Sequence, residues 1–236
     1  MSLRSAYCGD NVVQMFPKND KPWRELIYFP IVYYAISFFS VVLLFAISPE
    51  SLADYKTLNI VLYSAVVVTH WLLTFLVIRK LRRQSLSLKE FIVPKKRFGF
   101  LPAVLVFVSI NVLFSVYIVL ALAYGRIPRW DSLDLFQFIY FLVAHPLTAG
   151  FVEELIWRGY FIEKLLSIGY SKWRTVIFSS ISFAFIHGFW VIDKLAVTFI
   201  FGIFAGAYYI RERNLLVLML THVVVDVISF ALLFFA

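Results

Sequence analysis

The chain of 236 residues is predicted to be an all-α polytopic membrane protein, a transmembrane helix bundle of about seven spans, within roughly six to eight. Three observations lead there. The composition is 62% hydrophobic with a mean hydropathy of +0.86, against roughly 45–50% apolar in an average soluble domain. Apolar windows of about twenty residues recur, the length a helix needs to cross a roughly 30 Å hydrocarbon core. Connections between them are short, so residues 1–236 form one integral membrane domain with almost no soluble mass.

The first twenty-five or so residues are polar and carry no apolar core ending in a small-residue cleavage site, so the first window, 26–47, is expected to be a retained helix. A second window spans 58–78 and a third 101–124. Between them, Leu81 to Val93 places Leu81, Leu88 and Ile92 near one face with charges opposite, the pattern of a helix lying in the interface. The fourth window, 135–155, contains Pro146, expected to kink the helix and free a backbone carbonyl. Three less regular windows follow, at 174–191, 195–210 and 215–234. In the sixth, Gly202 and Gly206 let helices approach closely, which is read as packing inside the bundle in preference to a dimer contact.

The net charge of +8 is concentrated. Arg79, Lys80, Arg82, Arg83, Lys89, Lys95, Lys96 and Arg97 lie between the second and third spans, a loop that the positive-inside rule makes cytoplasmic. The N-terminus, the segment with Arg158, Lys164, Lys172 and Arg174, and that with Arg211 and Arg213 then share its side. Loops near Glu50–Lys56, Arg126–Asp134 and Asp193–Lys194 fall outside. Orientation thus accounts for the basic balance, and no nucleic-acid partner is needed. Cys8 is the only cysteine, which excludes an intrachain disulfide and a cysteine-rich metal knuckle.

Ionisable side chains at bilayer depth are expensive and point to function. Here they cluster in 135–234, whereas 1–98 holds the first two spans and no intramembrane carboxylate. Glu154 and Arg158 are four apart, so on a helix they share a face as an ion pair in the favoured order. Glu153, rotated by roughly 100°, is left without an arginine. A desolvated carboxylate beside a second negative charge suits a general base.

His187 follows Phe183 by one turn, and Asp226 follows His222 by one turn. Phe183 is expected to pack on or shield the imidazole. If the helix through Glu153 runs to about Leu166, Glu153 and His187 each lie roughly 20 Å from the same membrane face and His222 roughly 12 Å. The three therefore meet in the membrane. His70, Asn111 and His145 also lie in apolar spans, but without a second ionisable group one turn away they are read as helix-packing residues. No HExxH, GxSxG or GxGD motif is present.

The constellation resembles the CPBP family of intramembrane proteases, which includes type II CAAX prenyl endopeptidases and bacteriocin-processing or immunity proteins. Glu153-Glu154-x-x-x-Arg158, extended by Leu155 and Gly159, matches its EExxxR motif, Phe183-x-x-x-His187 its FxxxH, and His222-x-x-x-Asp226 its HxxxN/D, over roughly 140–230. The resemblance implies hydrolysis of a peptide bond in a membrane-associated protein or peptide, prenylated CAAX substrates included. Glu153 would activate water, His187 position it, His222 and Asp226 hold the carbonyl oxygen, and Glu154 and Arg158 support them. Asp226 stands where prenyl-processing members carry asparagine, and an ionised carboxylate repels an oxyanion. Zinc held by Glu153, His187 and His222 is the alternative that the residue set permits. The metal-free route is preferred because no second-shell acid is evident for both histidines. A non-catalytic immunity or scaffold protein is the rival from another class, and a proton-coupled transporter a second; neither explains polar groups confined to one half and an unpaired Glu153. An integral protein of the plasma membrane with a cytoplasmic N-terminus is expected.

Overall fold

The computed structural model describes residues 16, 21–49, 55–92, 99–126, 134–188 and 191–235. These form helices α1 (Pro22–Ile47), α2 (Tyr55–Arg83), the single turn α3 (Lys89–Ile92), α4 (Phe100–Ala123), and α5 (Leu135–Ser167). Three more follow: α6 (Lys172–Phe185), α7 (Ile192–Glu212) and α8 (Leu215–Phe235). Among the described residues there is no strand.

Six of the helices, α1, α2, α4, α5, α7 and α8, are long and apolar enough to cross a membrane. That number falls within the expected six to eight, and the window 174–191 is the one that supplies no such helix among the described residues. The window 174–191 holds α6, whose 14 residues reach only about 21 Å, short of a roughly 30 Å core. The helix stops there because the chain turns at His187 and Gly188, where φ of 111° at Gly188 is open to glycine.

The polarity of the bundle is that of a protein in lipid. Phe38 and Phe39 of α1, Trp71 and Phe75 of α2 and Leu101 and Leu105 of α4 are exposed, whereas His70, Glu153, Glu154, Arg158 and His222 are buried. A hydrocarbon surround removes the incentive to hide apolar side chains and raises the cost of exposing charged ones. α5 is the axis of the bundle, with Ile156, Trp157, Phe161 and Ile162 inaccessible. It starts at a capping box, in which the Asp134 carboxylate accepts from Gln137 N (2.8 Å) and the Gln137 side chain accepts from Asp134 N (3.2 Å). Two π-helical stretches interrupt it, Tyr140–Ala144 just before Pro146 and Leu155–Ile162 just after the glutamate pair.

Charged side chains tie the helix ends together. Glu25, at the start of α1, accepts from Lys80 near the end of α2. The same carboxylate accepts from Tyr160 Oη and Lys164 Nζ on α5, each at 2.7 Å. Glu163 accepts from Tyr209 Oη at 2.8 Å and from Arg213 just beyond α7. Arg126 and Asp193 pair at 2.6 Å across the opposite ends of α4 and α7. The basic segments that orientation grouped together thus share one end; Arg4, Lys18, Lys95, Lys96, Arg97 and Cys8 lie outside the described residues.

The interfacial helix expected over 81–93 is corrected. α2 continues through Leu81 to Arg83, the chain turns at Ser85 with φ of 57°, and only α3 follows. Leu81 and Leu86 are buried and Leu88 and Ile92 pack on the same core, so this apolar face is covered by protein. Val93 lies outside the described residues. Gly202 and Gly206 pack inside the bundle as expected: a Cβ at Gly202 would lie 2.7 Å from Ser180 Cβ, and one at Gly206 3.1 Å from Val176, both on α6.

Candidate active site

Glu153 and Glu154 end the α-helical part of α5 before its second π stretch, and the widened turns there are a common device at functional sites. The two carboxylates have different surroundings. Glu154 Oε1 accepts from Arg158 at 3.0 Å and from His222 Nδ1 at 2.9 Å. Arg158 is buried and its guanidinium lies over the rings of Phe183 (4.1 Å) and Phe201 (5.0 Å). This charge is paired, hydrogen-bonded and stacked on π faces, which offsets the cost of removing it from water.

Glu153 faces three imidazoles. Its Oε1 bonds to His70 Nε2 at 2.9 Å; with the carboxylate ionised, the imidazole is the donor. Its Oε2 has no hydrogen-bond partner. His187 Nε2 stands 3.7 Å from that oxygen and His222 Nε2 3.8 Å. The expected setting of Glu153, dominated by a second negative charge, is therefore incomplete. Glu154 has its own partners, and imidazoles surround Glu153.

Both facing histidines are aimed from behind. His187 Nδ1 donates to the Phe183 carbonyl at 2.9 Å. That carbonyl belongs to the last turn of α6, where acceptors have no intrahelical donor, so the side chain one residue past the helix cap satisfies it. Phe183 is buried, with its ring centroid 4.7 Å from that of His187 and 5.9 Å from that of His222, the shielding role expected of it. His222 Nδ1 is held by Glu154, and its ring meets Phe201 edge-on at 4.9 Å. Asp226 Oδ1 stands 3.9 Å from His222 Nε2.

The sequence-predicted residues therefore converge: Glu153, His187, His222 and Asp226 line one cavity of about 270 Å³, with Glu154 and Arg158 packed behind them. Gly150 sets the approach of α5 to α8. A Cβ there would fall 2.6 Å from Val223 Cγ2 and 2.9 Å from Val223 N, so only glycine lets Glu154 reach His222.

Three residues were missed or misassigned. His70, read as a packing residue in a half without chemistry, reaches Glu153 from α2. Lys194, assigned to an external loop, lies in the first turn of α7 and lines the cavity beside Asp226. His145, also read as packing, lines the cavity with its ring against Tyr63 and Phe230 at 4.9 and 5.5 Å. Asn111 keeps its packing role, donating to Phe107 O within α4 at 2.9 Å. No motif spacing marks His70, because its partner lies 83 positions away.

Among the described residues no three His, Cys, Asp or Glu side chains are arranged as a metal-binding group. The chemistry of Glu153, His187 and His222 is right for zinc, and the acceptors behind both histidines, which the sequence did not reveal, are the kind that orient metal ligands. The spacing is not that of a formed site.

Residues 135–228 match a family model, Type II CAAX prenyl endopeptidase Rce1-like. No curated protein and no solved structure shows a significant match to the chain. The Rce1-like segment is less than half the chain, yet it contains Glu153, Glu154, Arg158, His187, His222 and Asp226. At family level it supports a CAAX-type intramembrane protease acting on a membrane-associated protein. His70, which reaches Glu153 from α2, lies outside it, as do Tyr63 and Phe230 of the cavity wall.

Proposed function

We propose that this protein is an intramembrane endopeptidase in which Glu153 activates water to hydrolyse a peptide bond of a membrane-associated protein or peptide, with prenylated CAAX proteins as the first substrates to test. The observation that carries the reading is the unpartnered, buried Glu153 Oε2 facing two imidazole Nε2 atoms in a cavity. In the neutral tautomer that donates from Nδ1 to Phe183 O, His187 has a bare Nε2. Two acceptors, Oε2 and that nitrogen, then face each other, and a water donating one proton to each satisfies both.

Attack follows from that water. As its oxygen bonds to the scissile carbonyl carbon, its proton passes to Glu153 Oε2, and His70 on Oε1 keeps the carboxylate oriented. His222 stands among the carboxylates of Glu153, Glu154 and Asp226. As an imidazolium it donates from Nδ1 to Glu154 and from Nε2 to the oxygen on which charge develops, an oxyanion-hole role. Asp226 compensates that imidazolium. Glu153 then returns its proton to the departing amine, and the C–N bond breaks with no net change in the enzyme.

The chemistry lies in 135–234, with 1–98 forming supporting spans and supplying His70. The protein resides in the plasma membrane with its N-terminus and the linked basic ends in the cytoplasm, a reading supported by the positive-inside rule. Substituting Glu153→Gln, which keeps the size and removes the base, tests the mechanism: cleavage should be lost while thermal unfolding stays that of the parent.

A further inference from the structure

A cavity of about 750 Å³ opens between α1 and α6, away from Glu153. Its walls are Trp23, Ile27 and Ile31 of α1 and Phe178, Ile181 and Phe185 of α6. Two of its polar side chains are turned to backbone carbonyls. Ser182 Oγ donates to Leu26 O at 2.7 Å, and Tyr34 Oη donates to Phe185 O, closing the inner end. What remains is an apolar groove.

Length and charge identify its occupant. From Trp23 to Tyr34 is eleven residues of α1, or roughly 16 Å of helix, about half of a 30 Å hydrocarbon core. The groove is one leaflet deep. A transmembrane peptide helix, roughly 10–12 Å wide and spanning both leaflets, does not fit that shape. The outer end carries Lys21, Arg24, Lys172 and Arg174, all exposed, with Arg24 over the Trp23 ring at 5.5 Å. Trp173 is exposed beside them, as interfacial aromatic residues are. The nearby acids are turned inward, Glu25 to Lys80 and Lys164, and Glu163 to Tyr209 and Arg213.

We infer that the groove is a lipid site holding one acyl chain of an anionic phospholipid of that leaflet, with its headgroup against Arg24 and Lys172. The cations supply the selectivity and the aromatic and aliphatic walls hold the chain. The site stands independently of the protease reading, since none of its lining residues touches Glu153.

The test is native mass spectrometry of the full protein released from nanodiscs of equimolar palmitoyl-oleoyl phosphatidylglycerol and phosphatidylcholine. One phosphatidylglycerol should be retained in preference to phosphatidylcholine. Arg24→Ala and Lys172→Ala should each lower that preference about fivefold. Ile181→Trp should expel the lipid, and Ile31→Trp, filling the groove from the other wall, serves if the first variant does not fold. Equal retention of the two lipids, full retention in a folded groove-filling variant, or retention of an added farnesylated peptide with no phospholipid would each overturn the assignment.

Discussion

Replacing Arg158 by methionine tests whether the buried pair behind the cavity holds the bundle together. Arg158 and Glu154 are 1% and 0% exposed, joined at 3.0 Å. Methionine keeps much of the volume between Phe183 and Phe201, so packing loss is small and the electrostatic change dominates. Glu154 is left buried with only His222 Nδ1 as a partner. Breaking a buried pair on one side costs about 3–5 kcal/mol, which for a chain of this size is a fall in midpoint on the order of 6–20 °C. Thermal unfolding in detergent by circular dichroism reads this directly. The double variant Glu154→Gln with Arg158→Met should recover much of the loss, because the stranded charge is removed while His222 keeps an acceptor. An Arg158→Met midpoint within about 2 °C of the parent, or a double variant less stable than the single, would refute the reasoning.

Other substitutions separate the roles. His70→Phe should slow cleavage about tenfold or more by leaving Glu153 Oε1 without its donor, while substrate binding, followed by KM against kcat, stays near the parent; unchanged kcat would remove His70 from the site. Gly150→Ala should force α5 and α8 apart, costing about 1–3 kcal/mol and abolishing cleavage, and adding Val223→Ala should not restore it because the Val223 backbone N also blocks the Cβ. His187→Ala and His222→Ala should lose cleavage as Glu153→Gln does, with the His222 variant also less stable because Glu154 loses a partner.

The windows of hydropathy were legible because each helix had to be apolar over bilayer length, and five of the seven correspond closely to helices long and apolar enough to cross. The fourth apolar window, 135–155, covers only the first part of α5, while the helix considered as running to about Leu166 ends at Ser167. Lys164, grouped by charge with the cytoplasmic segments, is buried against Glu25 of α1, and Glu163 beside it against Tyr209 of α7. α6 looked like a span because its apolar run continued into the turn at His187. Glu154, Arg158, His187, His222 and Asp226 were legible through spacing, since each has a partner or a shielding ring one turn away, and Glu153 was legible as the adjacent carboxylate left without an arginine. His70 and Lys194 were not, because their place in the site is set by how α2 and α7 pack on other helices. The acceptors behind both histidines were hidden for the same reason: one is a backbone carbonyl and the other comes from α5.

The most direct measurement is cleavage of a membrane-peptide library, prenylated CAAX peptides included, by detergent-purified protein beside its Glu153→Ala variant, each with and without a zinc chelator. The glutamate mechanism predicts cleavage by the parent that persists with chelator and disappears in the variant. Equal cleavage by parent and Glu153→Ala, or a parent activity abolished by the chelator and restored by zinc, would contradict it.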